Sequence, residues 1–72
     1  MGFNSKEAFE AAMSSMSMEA KKEIRTLDLS NTQVSDVSAL AGLTGLETLD
    51  LYNTQVSDVS ALAGLTGLKI YQ

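Results

Sequence analysis

The chain has no cysteine, histidine, proline or tryptophan. Without thiols there is no disulfide staple and no thiolate metal site. Without imidazole the usual general base and the commonest metal ligand are both missing. Positive charge is scarce. Lys6, Lys21, Lys22, Arg25 and Lys69 are the only basic residues, and the formal net charge is −4. They form no basic patch that could neutralise phosphates, which excludes a nucleic-acid partner. No run of apolar residues approaches the 18 or so that a membrane span needs. The N-terminus lacks the basic-then-apolar pattern of a secretory signal. The opening Met1-Gly2-Phe3-Asn4-Ser5-Lys6 approaches a myristoylation signal, but Lys6 stands where Ser or Thr is required. Gly2 then reads as a cloning remnant or a plain second residue. The expected setting is soluble, cytoplasmic or recombinant.

What is present is repetition. Residues 26–47 read TLDLSNTQVSDVSALAGLTGLE, and residues 48–69 read TLDLYNTQVSDVSALAGLTGLK. Only Ser30/Tyr52 and Glu47/Lys69 differ, so 20 of 22 positions match. A fixed period of this size marks a solenoid, whose repeats bury their apolar faces against one another. Near-identity of the copies indicates design or recent duplication, since old repeats drift apart.

Residues 1–23 follow a different rule. Phe9, Ala12, Met13, Met16 and Ala20 recur at spacings of three and four, an amphipathic helical stripe. Asn4 and Glu7 form a capping-box pattern. Ser17 is placed to cap a second short helix through Lys22, with Glu19 near its positive end and Lys21 and Lys22 near its negative end. One kinked helix and two short helices both satisfy this pattern. Met13 and Met16 read as core over the first coil rather than as a binding stripe.

From Ile24 the spacing changes. Ile24, Leu27, Leu29, Val34, Val37, Leu40 and Leu43 form a ladder. Leu46, Leu49, Leu51, Val56, Val59, Leu62 and Leu65 repeat it, and Leu68 and Tyr71 begin it again. This ladder resembles the leucine-rich repeat family, in its bacterial 22-residue, internalin-like form. The resemblance covers residues 24–72, divided as 24–45, 46–67 and a partial 68–72. It implies an α/β solenoid of two full coils with short parallel strands, and a helical N-terminal cap over residues 1–23. The family usually places Asn at the ninth ladder position. Thr32 and Thr54 stand there, and their hydroxyls can still donate to backbone carbonyls. Gly42, Gly45, Gly64 and Gly67 replace other frequent Asn positions and, like Asn, tolerate positive φ.

Period-2 alternation in the first strand turns Leu27 and Leu29 inward and Thr26, Asp28 and Ser30 outward. The next coil sets Thr48, Asp50 and Tyr52 beside them. These six residues form the candidate concave binding face, with a protein ligand as its expected occupant. Asp28 and Asp50 are stacked like charges, which predicts a raised pKa for one of them. A weak cation site or acid/base pair is the sharp reading, and a solvated polar face is the favoured one. Asp36 and Asp58 stack likewise but lack the Gly-rich context of calcium repeats, so they read as turn caps together with Ser35 and Ser57. No serine has an activating partner, which leaves no catalytic residue and no cofactor. Tyr52 departs from the repeat on the outward face, either as an interface anchor or as an indifferent change between copies.

The far end is the other candidate surface. After Lys69 only Ile70, Tyr71 and Gln72 follow. Val56, Val59, Leu62, Leu65 and Leu68 would show one side to solvent, and an edge strand would keep unpaired backbone groups. A chain of this size buries only about 60% of its unfolded surface and is marginal alone. Self-association is the simplest remedy. It predicts a two-fold homodimer through Leu62, Leu65, Leu68, Ile70 and Tyr71. Head-to-tail filaments are the competing outcome.

Overall fold

The computed structural model describes all 72 residues. Two helices open the chain, α1 (Lys6–Ser15) and α2 (Met18–Lys22). Three short strands follow, β1 (Thr26–Asp28), β2 (Thr48–Asp50) and β3 (Lys69–Tyr71). They form one parallel sheet in chain order. The returns between strands carry 3₁₀ turns at Ser38–Gly42 and Ser60–Leu62. A parallel pair needs such a crossover.

Two helices are thus found rather than one kinked helix. Ser17 Oγ accepts from the Ala20 N–H at 3.2 Å, which starts a new helix immediately after the first ends. The first helix is capped one residue later than the Asn4 pattern predicts. Ser5 is extended and its Oγ accepts from the Ala8 N–H at 3.1 Å. Asn4 lies outside the helix, so Glu7 has no reciprocal partner there and serves only as first-turn negative charge.

The core is the apolar ladder of the first coil plus the helical stripe. Phe9, Met13 and Ile24 join Leu27, Leu29, Val34, Val37, Leu40 and Leu43, and the second coil adds Leu46, Leu49, Leu51 and Leu62, all buried. The Phe3 ring meets Phe9 edge-on, 5.7 Å between centroids, a favoured aromatic geometry. Thr32 lies in the same interior and donates from Oγ1 to the Leu29 carbonyl at 2.7 Å. Thr54 repeats the bond to Leu51 at 2.8 Å. The hydroxyl therefore ties down the chain as it leaves each strand.

The turn chemistry differs from expectation. Positive φ falls on Asn31 (60°) and Asn53 (57°), and among the glycines only on Gly67 (81°). Gly45 is required for space instead. A Cβ there would lie 2.5 Å from the Lys22 carbonyl oxygen at the end of α2.

β3 also departs from the repeat. Thr26 pairs with Thr48, 22 residues on, but Thr48 pairs with Lys69, only 21 on. A one-residue slip exchanges the two faces of a strand. Ile70 consequently takes the inward position and is half-buried, while Tyr71, expected on the inward ladder, is exposed. The slip has a physical reason. An inward Tyr71 would need a partner for its hydroxyl in the apolar interior, whereas Ile70 needs none. Gly67 permits it by adopting the left-handed conformation.

The N-terminal residues are not idle. Gly2 bridges Asp28 in parallel. Phe3 N–H donates to the Asp28 carbonyl at 3.0 Å and Asp28 N–H to the Met1 carbonyl at 2.8 Å. The Met1 ammonium donates to the Thr26 carbonyl at 3.1 Å. Residues 1–3 thus lie along the outer edge of β1 as a short parallel partner.

Candidate binding surfaces

The outward sheet face presents Thr26 and Thr48 beside Lys69, then Asp28 and Asp50 beside Tyr71. Ser30 and Tyr52 follow at the exits of β1 and β2. Tyr52 and Tyr71 are 62% and 53% exposed, so neither ring is used in the core. Tyr71 belongs to this face only because of the slip in β3, which no feature of the repeat signals. The face therefore carries two tyrosines next to two aspartates rather than one.

The aspartates serve the backbone first. Ser30 donates to Asp28 Oδ1 from its hydroxyl at 2.6 Å and from its N–H at 2.9 Å. These bonds hold the Asp28 carboxyl below its ordinary pKa, the hydroxyl contributing most. The raised pKa expected from stacking like charges is not found at Asp28, where direct donation to the charged form outweighs desolvation and the N-terminal ammonium adds to the lowering. Asp50 Oδ1 likewise accepts from the Tyr52 N–H at 2.9 Å. On the opposite side, Asp36 and Asp58 accept from the N–H groups of Ser38 and Ser60 at 2.8 and 2.9 Å. Their pKa values are lowered by those backbone bonds, then by the serine hydroxyls, and at Asp36 the charge of Asp58 opposes this only weakly. All four carboxylates close local turns. No three His, Cys, Asp or Glu side chains gather where they could hold a metal ion.

One edge of this face carries an ion pair. Glu47 and Thr48 both donate from N–H to the Arg25 carbonyl, while Lys69, which the slip sets in the place of Thr48, donates from N–H to the Glu47 carbonyl. Arg25 Nη1 reaches Glu47 Oε2 at 2.9 Å. Both side chains are about two-thirds exposed, so the pair adds little stability. It does favour the observed register over alternatives.

The far coil shows what a missing neighbour does. Val34, Val37 and Leu43 are at most 2% exposed, yet their copies Val56, Val59 and Leu65 are only partly buried. Leu68 and Ile70 are half-buried as well, and Leu62 is the exception at 4% exposed. Of the five residues expected to meet a partner, Leu62 is therefore already covered, Leu65, Leu68 and Ile70 are half-covered, and Tyr71 is exposed on the outward face.

Two strand-to-return cycles of this construction, with leucines inward and a polar residue closing each exit, coincide with a match to a protein family. Residues 22–69 fit the family described as leucine rich repeats, two copies. The chain belongs to the leucine-rich repeat family. No curated protein matches it. The leucine-rich repeat explains why Leu27, Leu29 and Leu40 share one interior with their second-coil copies Leu49, Leu51 and Leu62. Leucine-rich repeats are typically non-catalytic modules of protein interaction. No helix is long and apolar enough to cross a membrane.

Proposed function

We propose that this leucine-rich repeat chain is a non-catalytic solenoid scaffold that self-associates as a two-fold homodimer through its last coil. In this reading α1 and α2 cap the first coil, and nothing of the chain covers the second. The observation that carries it is the contrast between identical side chains. Leu43 is fully buried, and Leu65 is not. A partner over the last coil would remove that remaining apolar surface from water at about 25 cal/mol per Å². The near-identical copies fit a designed or recently duplicated scaffold of internalin-like type.

Light scattering across a micromolar concentration series tests the proposal. A mass twice that of the chain, with unfolding that shifts upward with concentration, is expected. A monomer with a sharp transition at every concentration overturns it.

A second reading is a protein-binding module that uses the outward face. The exposed pair Tyr52 and Tyr71 beside Asp28 and Asp50 favours it, since tyrosines anchor interfaces at low entropic cost. Association that survives replacement of Leu65 and Leu68 by polar residues, but not loss of both tyrosines, would support this reading over the first.

A further inference from the structure

The two edges of the sheet are unequal. Along β1, residues 1–3 occupy the backbone groups that face outward. Along β3 nothing does. Lys69 N–H donates to the Glu47 carbonyl and Tyr71 C=O accepts from the Leu51 N–H, so residues 69 and 71 turn their backbone groups toward β2. Backbone groups alternate along a strand. The N–H and C=O of Ile70, the residue between, therefore both point to the open edge.

This arrangement restricts which strand can be added. Head-to-tail stacking would join the open β3 of one copy to the β1 edge of the next, and that edge is occupied. A second β3 is the remaining partner within the same species. Two β3 strands related by a two-fold axis run antiparallel. In an antiparallel ladder, a residue whose N–H and C=O both face its partner sits in a hydrogen-bonded pair. Ile70 is the residue of β3 that meets this condition.

We infer that two copies of the chain join edge to edge in one register, with Ile70 paired to the partner's Ile70 on the two-fold axis. This rests on the self-association proposed above and specifies its geometry. Lys69 then lies opposite Tyr71 of the partner subunit, in a non-hydrogen-bonded pair with Cα atoms about 4.5 Å apart. The pair occurs twice, and both side chains belong to the outward face. An ammonium beside a tyrosine ring is attractive, whereas a register that placed Lys69 against its own copy would set like charges opposite each other. Half-buried Leu65 and Leu68 face the same end of the coil as the open edge. The joined sheet would present Tyr52 and Tyr71 of both copies on one continuous surface.

The absence of cysteine makes the register directly measurable. Lys69→Cys and Tyr71→Cys are prepared separately, each kept reduced, then mixed and oxidised. A mixed disulfide dimer is expected in high yield, because the directly opposed pair has suitable Cα separation. Little cross-linking is expected in either variant alone, where the two cysteines are diagonal. Efficient cross-linking of Lys69→Cys with itself overturns the register. So does a dimer by light scattering that gives no mixed disulfide. In both cases self-association survives. A mass that stays monomeric for the parent chain and both variants overturns self-association and the register together. Ile70→Pro gives an independent reading. It removes only the N–H that faces the open edge, so the dimer should weaken at least tenfold while the parallel-sheet circular dichroism of the monomer persists. An unchanged dimer overturns the register.

Discussion

Asn53 donates from its side-chain amide to Oδ1 of Asn31 at 2.9 Å, linking equivalent corners of the two coils. Both residues hold positive φ, a conformation that Asn accepts more readily than other side-chain-bearing residues. Each therefore has two separable duties. Replacing Asn53 with Ala should cost about 1–2 kcal/mol, mostly from backbone strain. Replacing it with Gly keeps the backbone and loses the link, and should cost less than half as much. Urea denaturation of the pair of variants checks the order. Equal costs would show that the side-chain link, not the backbone, dominates.

The glycines should separate in the same assay. Gly45→Ala places a Cβ 2.5 Å from the Lys22 carbonyl oxygen. That contact forces α2 away from the first coil, and a loss of about 2 kcal/mol or more is expected. Gly67→Ala meets no atom but strains a left-handed backbone, at about 1–2 kcal/mol. Gly64→Ala has neither problem and should be neutral or stabilising by up to about 1 kcal/mol.

Acid should destabilise the fold in a defined window. Asp28, Asp36 and Asp58 all have folded pKa values below the ordinary 3.8. Protons therefore bind the unfolded chain more readily than the folded one. The stabilisation from these groups is complete above about pH 5 and is lost as pH falls through 3.8 and then through the folded values. Thermal melts between pH 2 and pH 7 should show this decline. Asp36→Asn with Asp58→Asn should flatten it. A decline unchanged by that double substitution would assign the acid response elsewhere.

Matched truncations measure the missing neighbour. Leu43→Ala empties a fully buried site and should cost about 2–5 kcal/mol. Leu65→Ala, at the same place in the second copy, should cost roughly half of that in dilute solution. The difference should shrink as concentration rises if a second molecule covers the last coil.

Removing residues 1–3 should uncover the outward groups of β1 and take Phe3 from the ring of Phe9. Both edges of the sheet would then be open. Species larger than a dimer are expected by light scattering, together with a lower melting temperature. A truncated chain with the parent's mass would show that the N-terminal residues do not guard that edge.

The inward leucines and valines, the two 22-residue cycles and the carbonyl-seeking role of Thr32 and Thr54 were legible in the sequence, because burial at a fixed period leaves a one-dimensional trace. Three features left no such trace. The pairing of Gly2 with Asp28 is a long-range backbone contact that needs no particular side chain. The need for glycine at position 45 arises from the end of α2, more than twenty residues away in sequence. The slip of β3 is a competition between Ile70 and Tyr71 for one inward place, which a pattern of identical repeats obscures. Of the candidate surfaces, the outward strand residues follow from alternation alone, but Tyr71 moved onto that face only through the slip. The half-burial of Leu65 and Leu68 depends on neighbours, not on the residues themselves.

That slip bears on how such a chain could be lengthened. The turn before β3 uses one residue fewer than its copy before β2, although Leu65-Thr66-Gly67-Leu68 repeats Leu43-Thr44-Gly45-Leu46 letter for letter. Phase is thus negotiated at each strand by the side chains that compete for the interior, with the preceding loop yielding to the winner. Appending another unit behind Ile70 and Tyr71 would carry the offset forward. Restoring Thr-Leu-Asp at positions 70–72 should return the third strand to step with the other two.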